Sequence, residues 1–373
     1  MTNDVRSRTT AALSNLFIGD ALAMPVHWFY NVHDIDKAFP DGIQTFEAPP
    51  AFHPSSIMSL HSTSGGGRKG AGHQGSRDIV GDVILKGKQS FWDRPNVHYH
   101  QGMRPGDNTL NAYCALTLME TMCESGGHYD QDKFLQAYIT LMTADTPAHP
   151  DTYAESYHRG FFANLEAGRP ADQCGAVTHD TPSVGGLVTI APLVIGERLR
   201  GRSLADTRTL CRDHLALTHP DSFLAEVCDA YVELIDGLLF RDSGSDASSV
   251  QELLLQAARG LSRRDLTKLV NSSKPEREVV GKVLSTACYI SDSWPAVLYL
   301  ACKHQQDPLR ALQINAEIGG DSVHRGAVLG VLLGLIHGEA AGNLFAQLTE
   351  HQSINRAIEC LSLNPDLNPG FKS

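Results

Sequence analysis

The sequence predicts an all-α fold, a single large bundle of helices with a loop-rich excursion over residues 40–105. Three observations lead there. From Thr109 onward apolar residues recur at intervals of three and four almost without a break. Alternating apolar and polar runs of the kind that make half-buried strands are nearly absent from that region. The stops between periodic segments are short and polar, which suits helix–helix connections better than interdomain linkers. With 373 residues the chain can bury a large core, and we take 1–373 as one domain.

Taken in order, the N-terminal stretch from Arg8 to Pro25 is apolar but carries Asp20. It lacks the basic start and clean apolar run of a secretory signal, so the expected compartment is the cytoplasm. Residues 40–105 are rich in Gly, Pro, His and aromatic side chains. A structureless loop of that length is unusual inside a compact domain, so it is expected to pack over the mouth of a site. Gly65–Gly67 reads as a surface turn, because G-x-x-x-x-G-K-[ST] is absent and no strand precedes it. Helical periodicity then marks segments near 109–123, 132–143, 184–198, 204–216, 222–239, 249–258, 278–290, 294–304, 307–316 and 323–340. Thr218, Pro220, Asp221 and Ser222 read as the start of the fifth of these. In the last, Gly326, Gly330, Gly334 and Gly338 fall every four residues and form a ridge on which another helix backbone can lie closely.

Composition excludes several functions. The net charge of −11 opposes the attraction to polyanions that underlies duplex binding. The longest apolar run, Ala327 to Ile336, is too short to cross a bilayer. Eight cysteines are scattered without a C-x-x-C pair and read as buried thiols, with no structural zinc site.

Candidate chemistry concentrates in three segments: Gly19-Asp20-Ala21-Leu22 with His27 shortly after, Gly106-Asp107-Asn108-Thr109, and Gly319-Gly320-Asp321-Ser322-Val323-His324. Asp107 and Asp321 each stand just before a helix, where a carboxylate can cap orphan N–H groups. Brought together with Asn108, Ser322 and His324, they would also form a cation site. Trp28, Phe29, Tyr30 and Trp92 are core residues or stacking surfaces for a flat ring. His98 and His100 read as hydrogen-bonded buried side chains, while His27 and His324 stand between that reading and a functional one.

These segments, with Ser183-Val184-Gly185-Gly186-Leu187 and Leu217-Thr218-His219-Pro220 between them, appear in the order found in the ADP-ribosylglycohydrolase family, which the chain resembles from about Arg8 to Gly338. The resemblance implies a single all-α, orthogonal bundle whose cleft holds two Mg²⁺ ions, and hydrolysis of the anomeric bond of an ADP-ribosyl group. It departs at the chemical positions. The family's Thr-Asp-Asp-Thr is Gly106-Asp107-Asn108-Thr109 here. Its Gly-Gly-Asp-Thr-Asp-Thr is Gly319-Gly320-Asp321-Ser322-Val323-His324, His27 matches a usual acidic position, and Thr189 matches a usual Arg. Two Mg²⁺ ions over only Asp107 and Asp321 would leave buried positive charge uncompensated. The expected site therefore holds one divalent cation, Mg²⁺ by resemblance or a transition metal if imidazole ligates, or no metal at all.

The function this implies is hydrolysis of an N- or O-glycosidic bond to a ribosyl group of an ADP-ribosylated or related small-molecule substrate. Asp107, Asp321, His27 and His324 are its candidate catalytic residues. Asp20, Asn108, Gly319, Gly320 and Ser322 are the candidate substrate-binding set, and Asp107, Asn108, Asp321 and His324 the candidate metal ligands. The alternative is a catalytically inactive relative that binds a nucleotide or serves a structural role. Neither a nucleic-acid duplex nor a membrane is an expected partner. Arg68, Arg77 and Arg104 read as surface charges, or as clamps if the substrate is a different anion.

Overall fold

A computed structural model describes residues 3–69, 77–242 and 244–362, and over these the expected all-α architecture holds. The helices are α1 (Asn3–Ala23), α2 (Val32–Ala38), α3 (Leu110–Glu124), α4 (Gln131–Thr143), α5 (Ser156–Glu166), α6 (Ile190–Leu199), α7 (Leu204–Ala216) and α8 (Ser222–Leu239). They continue with α9 (Ala247–Ala257), α10 (Leu266–Val270), α11 (Glu276–Glu278), α12 (Ile290–Lys303), α13 (Pro308–Ile318), α14 (Ser322–His337) and α15 (His351–Ser362). No β-strand forms among the described residues, only isolated bridges such as Ser183 with Tyr289. Many helices start on the caps their sequences supply. Asp221 accepts from Leu224 N at 2.8 Å, Asp246 from Ser249 N at 2.8 Å and Asp130 from Lys133 N at 3.1 Å.

Helices α1 and α14 form the centre, and both are buried nearly all round, which is why neither shows an amphipathic stripe. The glycine ridge of α14 meets α1. A Cβ on Gly326 would stand 2.6 Å from Gly19 O, one on Gly334 would stand 2.5 Å from Ala11, and one on Gly330 would overlap the Asn15 carbonyl. Glycine here permits backbone contact that no side chain could share. Helix propensity alone would make Gly330→Ala stabilising by about 1 kcal/mol. The packing predicts the opposite sign, a loss of about 1–3 kcal/mol seen as a lower urea midpoint.

Two expectations need correction. The helix expected over 278–290 is broken: Gly281 adopts φ 143°, and Leu284 is already extended, so the segment crosses the site as irregular chain. The expected 184–198 helix is a short turn, Val184–Leu187, followed by α6 with Pro192 in its first turn. The periodic segments also missed α1, α2, α5, α10 and α15.

Residues 39–69 and 77–109 carry only single-turn helices, yet they pack around buried Trp92, His53, His98 and His100. They fold back onto the end of α1: His53 Nε2 lies 2.9 Å from His27 O, and His98 Nε2 lies 3.0 Å from Pro25 O. Of Ser62–Gly70, Gly70 lies outside the described residues. Gly66 packs against α5, where a Cβ would come 2.7 Å from Ser156 O.

The reading of all eight cysteines as thiols is also corrected. Cys123 at the end of α3 and Cys360 in α15 form a disulfide, with Cα atoms 6.0 Å apart across a separation of 237 residues. Cys114, Cys174, Cys211, Cys228, Cys288 and Cys302 are free. No helix among the described residues is long and apolar enough to cross a membrane.

Candidate functional site

The site is built where the Gly319-Gly320 turn meets the chain after α1. Gly319 and Gly320 have φ 72° and 64°, a conformation that side chains other than glycine rarely adopt. A Cβ on Gly319 would overlap Phe29 O, and one on Gly320 would overlap Thr286 O. The bare backbone can therefore pair with both neighbours: Trp28 N donates to Gly320 O at 2.7 Å, Gly320 N to Phe29 O at 2.7 Å, and Asp321 N to Thr286 O at 2.8 Å. Trp28 itself takes a left-handed φ of 61°, uncommon for a bulky residue and held by that pairing. Arg325, fully buried, donates from Nη2 to Gly319 O at 2.7 Å and from Nε to Asn315 Oδ1 at 2.7 Å, bracing the turn from below.

This local geometry sets Asp321 against two imidazoles. Asp321 Oδ1 lies 3.1 Å from His27 Nε2 and 2.8 Å from His324 Nδ1. His27 and Asp321 have no exposed surface and His324 is 2% exposed. Although Asp321 occupies the N-cap position of α14, its side chain makes no cap hydrogen bond, because it is turned toward the histidines. Its Oδ2 is buried without a partner. His324 Nδ1 has no aligned hydrogen bond either, despite its closeness to the carboxylate.

Burial pushes the His27 imidazole down to about 3. Burial also disfavours the charged forms of Asp321 and His324, but their mutual attraction prevails. Asp321 is held far below the usual carboxylate range by His324 and His27. His324 is held well above the usual histidine range by Asp321 and Glu155.

Carboxylates stand behind both imidazoles. His324 Nε2 lies 3.3 Å from Glu155 Oε1 and 2.7 Å from Asn111 Nδ2. His27 Nδ1 lies 2.7 Å from His100 Nε2, whose Nδ1 lies 2.8 Å from Asp151 Oδ1. Asp151 also accepts from Leu110 N and Thr152 N, each at 2.8 Å, and from Tyr153 N at 3.2 Å. Burial opposes its charge, yet His100, His149 and the Leu110 amide hold its carboxyl at about 2. Asp151 and Glu155 were not singled out from sequence. The aperiodic run 144–155 signals no element, and the only available signal was Asp145, Asp151 and Glu155 lying near His149 and His158.

The expected meeting of Asp107 and Asp321 does not occur through any shared partner. Asp107 closes its own turn by accepting from Arg104 N at 2.8 Å, and its Oδ1 accepts from Thr349 Oγ1 at 2.7 Å. Nor does it cap α3. That role falls to Asp20, which accepts from Thr109 N at 2.8 Å and Thr109 Oγ1 at 2.6 Å, and to Asp151 through Leu110 N. Asn108 Nδ2 donates to Asp20 Oδ1 at 2.7 Å and to Phe17 O at 2.8 Å, so Asp20 and Asn108 are engaged with each other. Ser322 Oγ lies 3.4 Å from Ala23 O. Of the aromatic candidates, Trp28 stacks on His27 with ring centroids 3.9 Å apart, and Trp92 is buried with Nε1 donating to Thr152 O at 3.0 Å. Arg77 pairs with Glu166 at 3.2 Å and Arg104 lies 3.4 Å from Asp107.

His27 Nε2, Asp321 and His324 Nδ1 can hold a metal ion, their ligand atoms all lying within 4.8 Å of one another. Protons give a second test of fit. The row Asp151, His100, His27, Asp321 has three polar gaps, and its two imidazoles supply only two protons when both are neutral. All three gaps, at 2.8, 2.7 and 3.1 Å, are of hydrogen-bond length. In that state, with Asp151 engaged as an acceptor, His27 would present a bare Nε2 to a carboxylate, an arrangement that a cation stabilises. Two nitrogens and one oxygen suit a first-row transition metal or zinc better than magnesium.

A model of the ADP-ribosylglycohydrolase family matches residues 1–362. Among solved structures, one described as an ADP-ribosylglycohydrolase-related protein complex superposes with a TM-score of 0.59 at 18% identity. The alignment covers 97% of this chain and 99% of that one, a likeness of fold. No curated protein matches in sequence.

Proposed function

Since the chain belongs to the ADP-ribosylglycohydrolase family, we propose that it hydrolyses the bond between the anomeric carbon of an ADP-ribosyl group and a nitrogen or oxygen leaving group, at one divalent-metal centre held by His27, Asp321 and His324. The observation that carries this reading is the convergence of these three buried side chains from the two ends of the family's motif set. When bound, the ion supplies a Lewis acid for ribose hydroxyls or water. The chain's own groups do the rest. The Gly319-Gly320 turn and Arg325 hold Asp321 in place. Water gives its hydroxyl to the anomeric carbon and a proton to the leaving group, so the products are free ADP-ribose and the unmodified acceptor. Because His27 and Asp321 are wholly buried, substrate entry requires the segments above them to part.

That burial favours a second reading, a relative that keeps the centre for structure and turns nothing over. The discriminating experiment supplies the purified protein with zinc, cobalt(II) or magnesium in turn and measures ADP-ribose release from modified arginine, modified serine and free ADP-ribosyl compounds. Release with a transition metal above that with magnesium is the expected result. Stoichiometric metal with no release from any substrate would support the second reading.

A further inference from the structure

We infer that Asp151 and His100 are positioning residues for this centre, and that they fix His27 in the tautomer whose Nε2 faces Asp321. The inference rests on the metal reading above and concerns two residues that never touch the ion. Asp151 Oδ1 and Oδ2 collect three backbone N–H groups in addition to the His100 ring, so the carboxylate is rigid and its acceptor role settled. With His100 neutral, its Nδ1 proton points at Asp151 and its Nε2 is left as an acceptor. In that state His27 Nδ1 donates to it across 2.7 Å, and the lone pair of His27 lies on Nε2, the atom 3.1 Å from Asp321.

The rest of the environment agrees. His100 N donates to His98 Nδ1 at 3.0 Å, and His98 Nε2 lies on Pro25 O at 3.0 Å, which locks the neighbouring ring against rotation. His27 O receives His53 Nε2 at 2.9 Å, and Trp28 stacks on one face of the His27 ring. The other imidazole has its own carboxylate in Glu155 at 3.3 Å from His324 Nε2. One five-residue stretch, Asp151 to Glu155, therefore backs both nitrogen ligands. Hydrogen-bonded carboxylates behind metal-bound imidazoles set ring orientation and basicity, and removing one lowers metal affinity by roughly 10–100-fold.

The test titrates full-length protein with cobalt(II), following the visible spectrum as well as affinity. His100→Leu is expected to weaken cobalt binding by roughly 10–100-fold and to change the spectrum. His100→Gln, whose amide oxygen can still accept from His27 Nδ1, is expected to recover most of the affinity. Asp151→Asn is the companion variant, and because Asp151 also caps α3, the His100 pair keeps the test valid if it folds poorly. Wild-type affinity and spectrum in His100→Leu, or equal loss in Leu and Gln variants, would overturn the inference while leaving the metal reading intact. A wild-type protein that binds no cobalt would instead remove the metal reading itself. In that case the His27 tautomer, read from ring ¹⁵N shifts of the metal-free protein, decides this inference separately: a proton on Nδ1 supports it and one on Nε2 overturns it.

Discussion

Asp321→Asn is expected to lower divalent-metal affinity by roughly 10²- to 10³-fold and to take ADP-ribosyl hydrolysis below detection. Asparagine keeps the shape and one oxygen but removes the only negative charge among the three groups that can contact the ion. Glu155 stands behind His324 and cannot replace it directly. Removing one member of a buried charge pair costs about 3–5 kcal/mol, and each 1.4 kcal/mol is about tenfold in affinity. Asp107→Asn makes the contrast, because the Asp107 carboxylate is tied to Arg104 and Thr349. It should leave metal binding unchanged and lower thermal stability modestly. Calorimetric titration of both variants checks the pair.

Acid is expected to unfold the protein unusually early, between about pH 6 and pH 5. Burial pushes His53 down to about 4 and His61, His214 and His219 each down to about 3. These imidazoles stay neutral in the fold but take up protons in the unfolded chain below about pH 6.5. The unfolded state therefore binds more protons, and stability rises with pH over that window and falls on acidification. At pH 5 each group costs about 2 kcal/mol, so the four together cost on the order of 8 kcal/mol, comparable with the whole stability of a typical domain. His98, His149 and His158 shift in the same direction. His324, whose value is raised, opposes the trend, but its stabilisation is already mostly present at neutral pH and gains only about 1 kcal/mol more. Circular dichroism against pH at constant ionic strength tests this. A protein still folded at pH 4 would show that these rings do not remain neutral inside.

Local regularities were readable from sequence, whereas long-range partnerships were not. The glycine ridge of α14 was legible because its four-residue period is local, although nothing local named α1 as its partner. Asp221 announced α8 because a cap and its helix are adjacent. His27, Asp321 and His324 stood out by their positions in recognisable segments. Asp107 was misplaced because what claims its carboxylate, Thr349, lies 242 residues away. The disulfide between Cys123 and Cys360 was hidden for the same reason. Asp151, Glu155 and His100 sit in stretches without helical or strand periodicity, so their convergence depends on tertiary packing alone. The failure over 278–290 was one of period: apolar spacing continued across Gly281, whose positive φ ends the helix.

X-ray absorption spectroscopy of the protein loaded with one equivalent of zinc tests the centre most directly. The predicted result is a single ion per chain with two imidazole nitrogens in its coordination sphere, one of which is lost in His27→Ala and one in His324→Ala. An ion surrounded only by oxygen, or a nitrogen count indifferent to both substitutions, would contradict it.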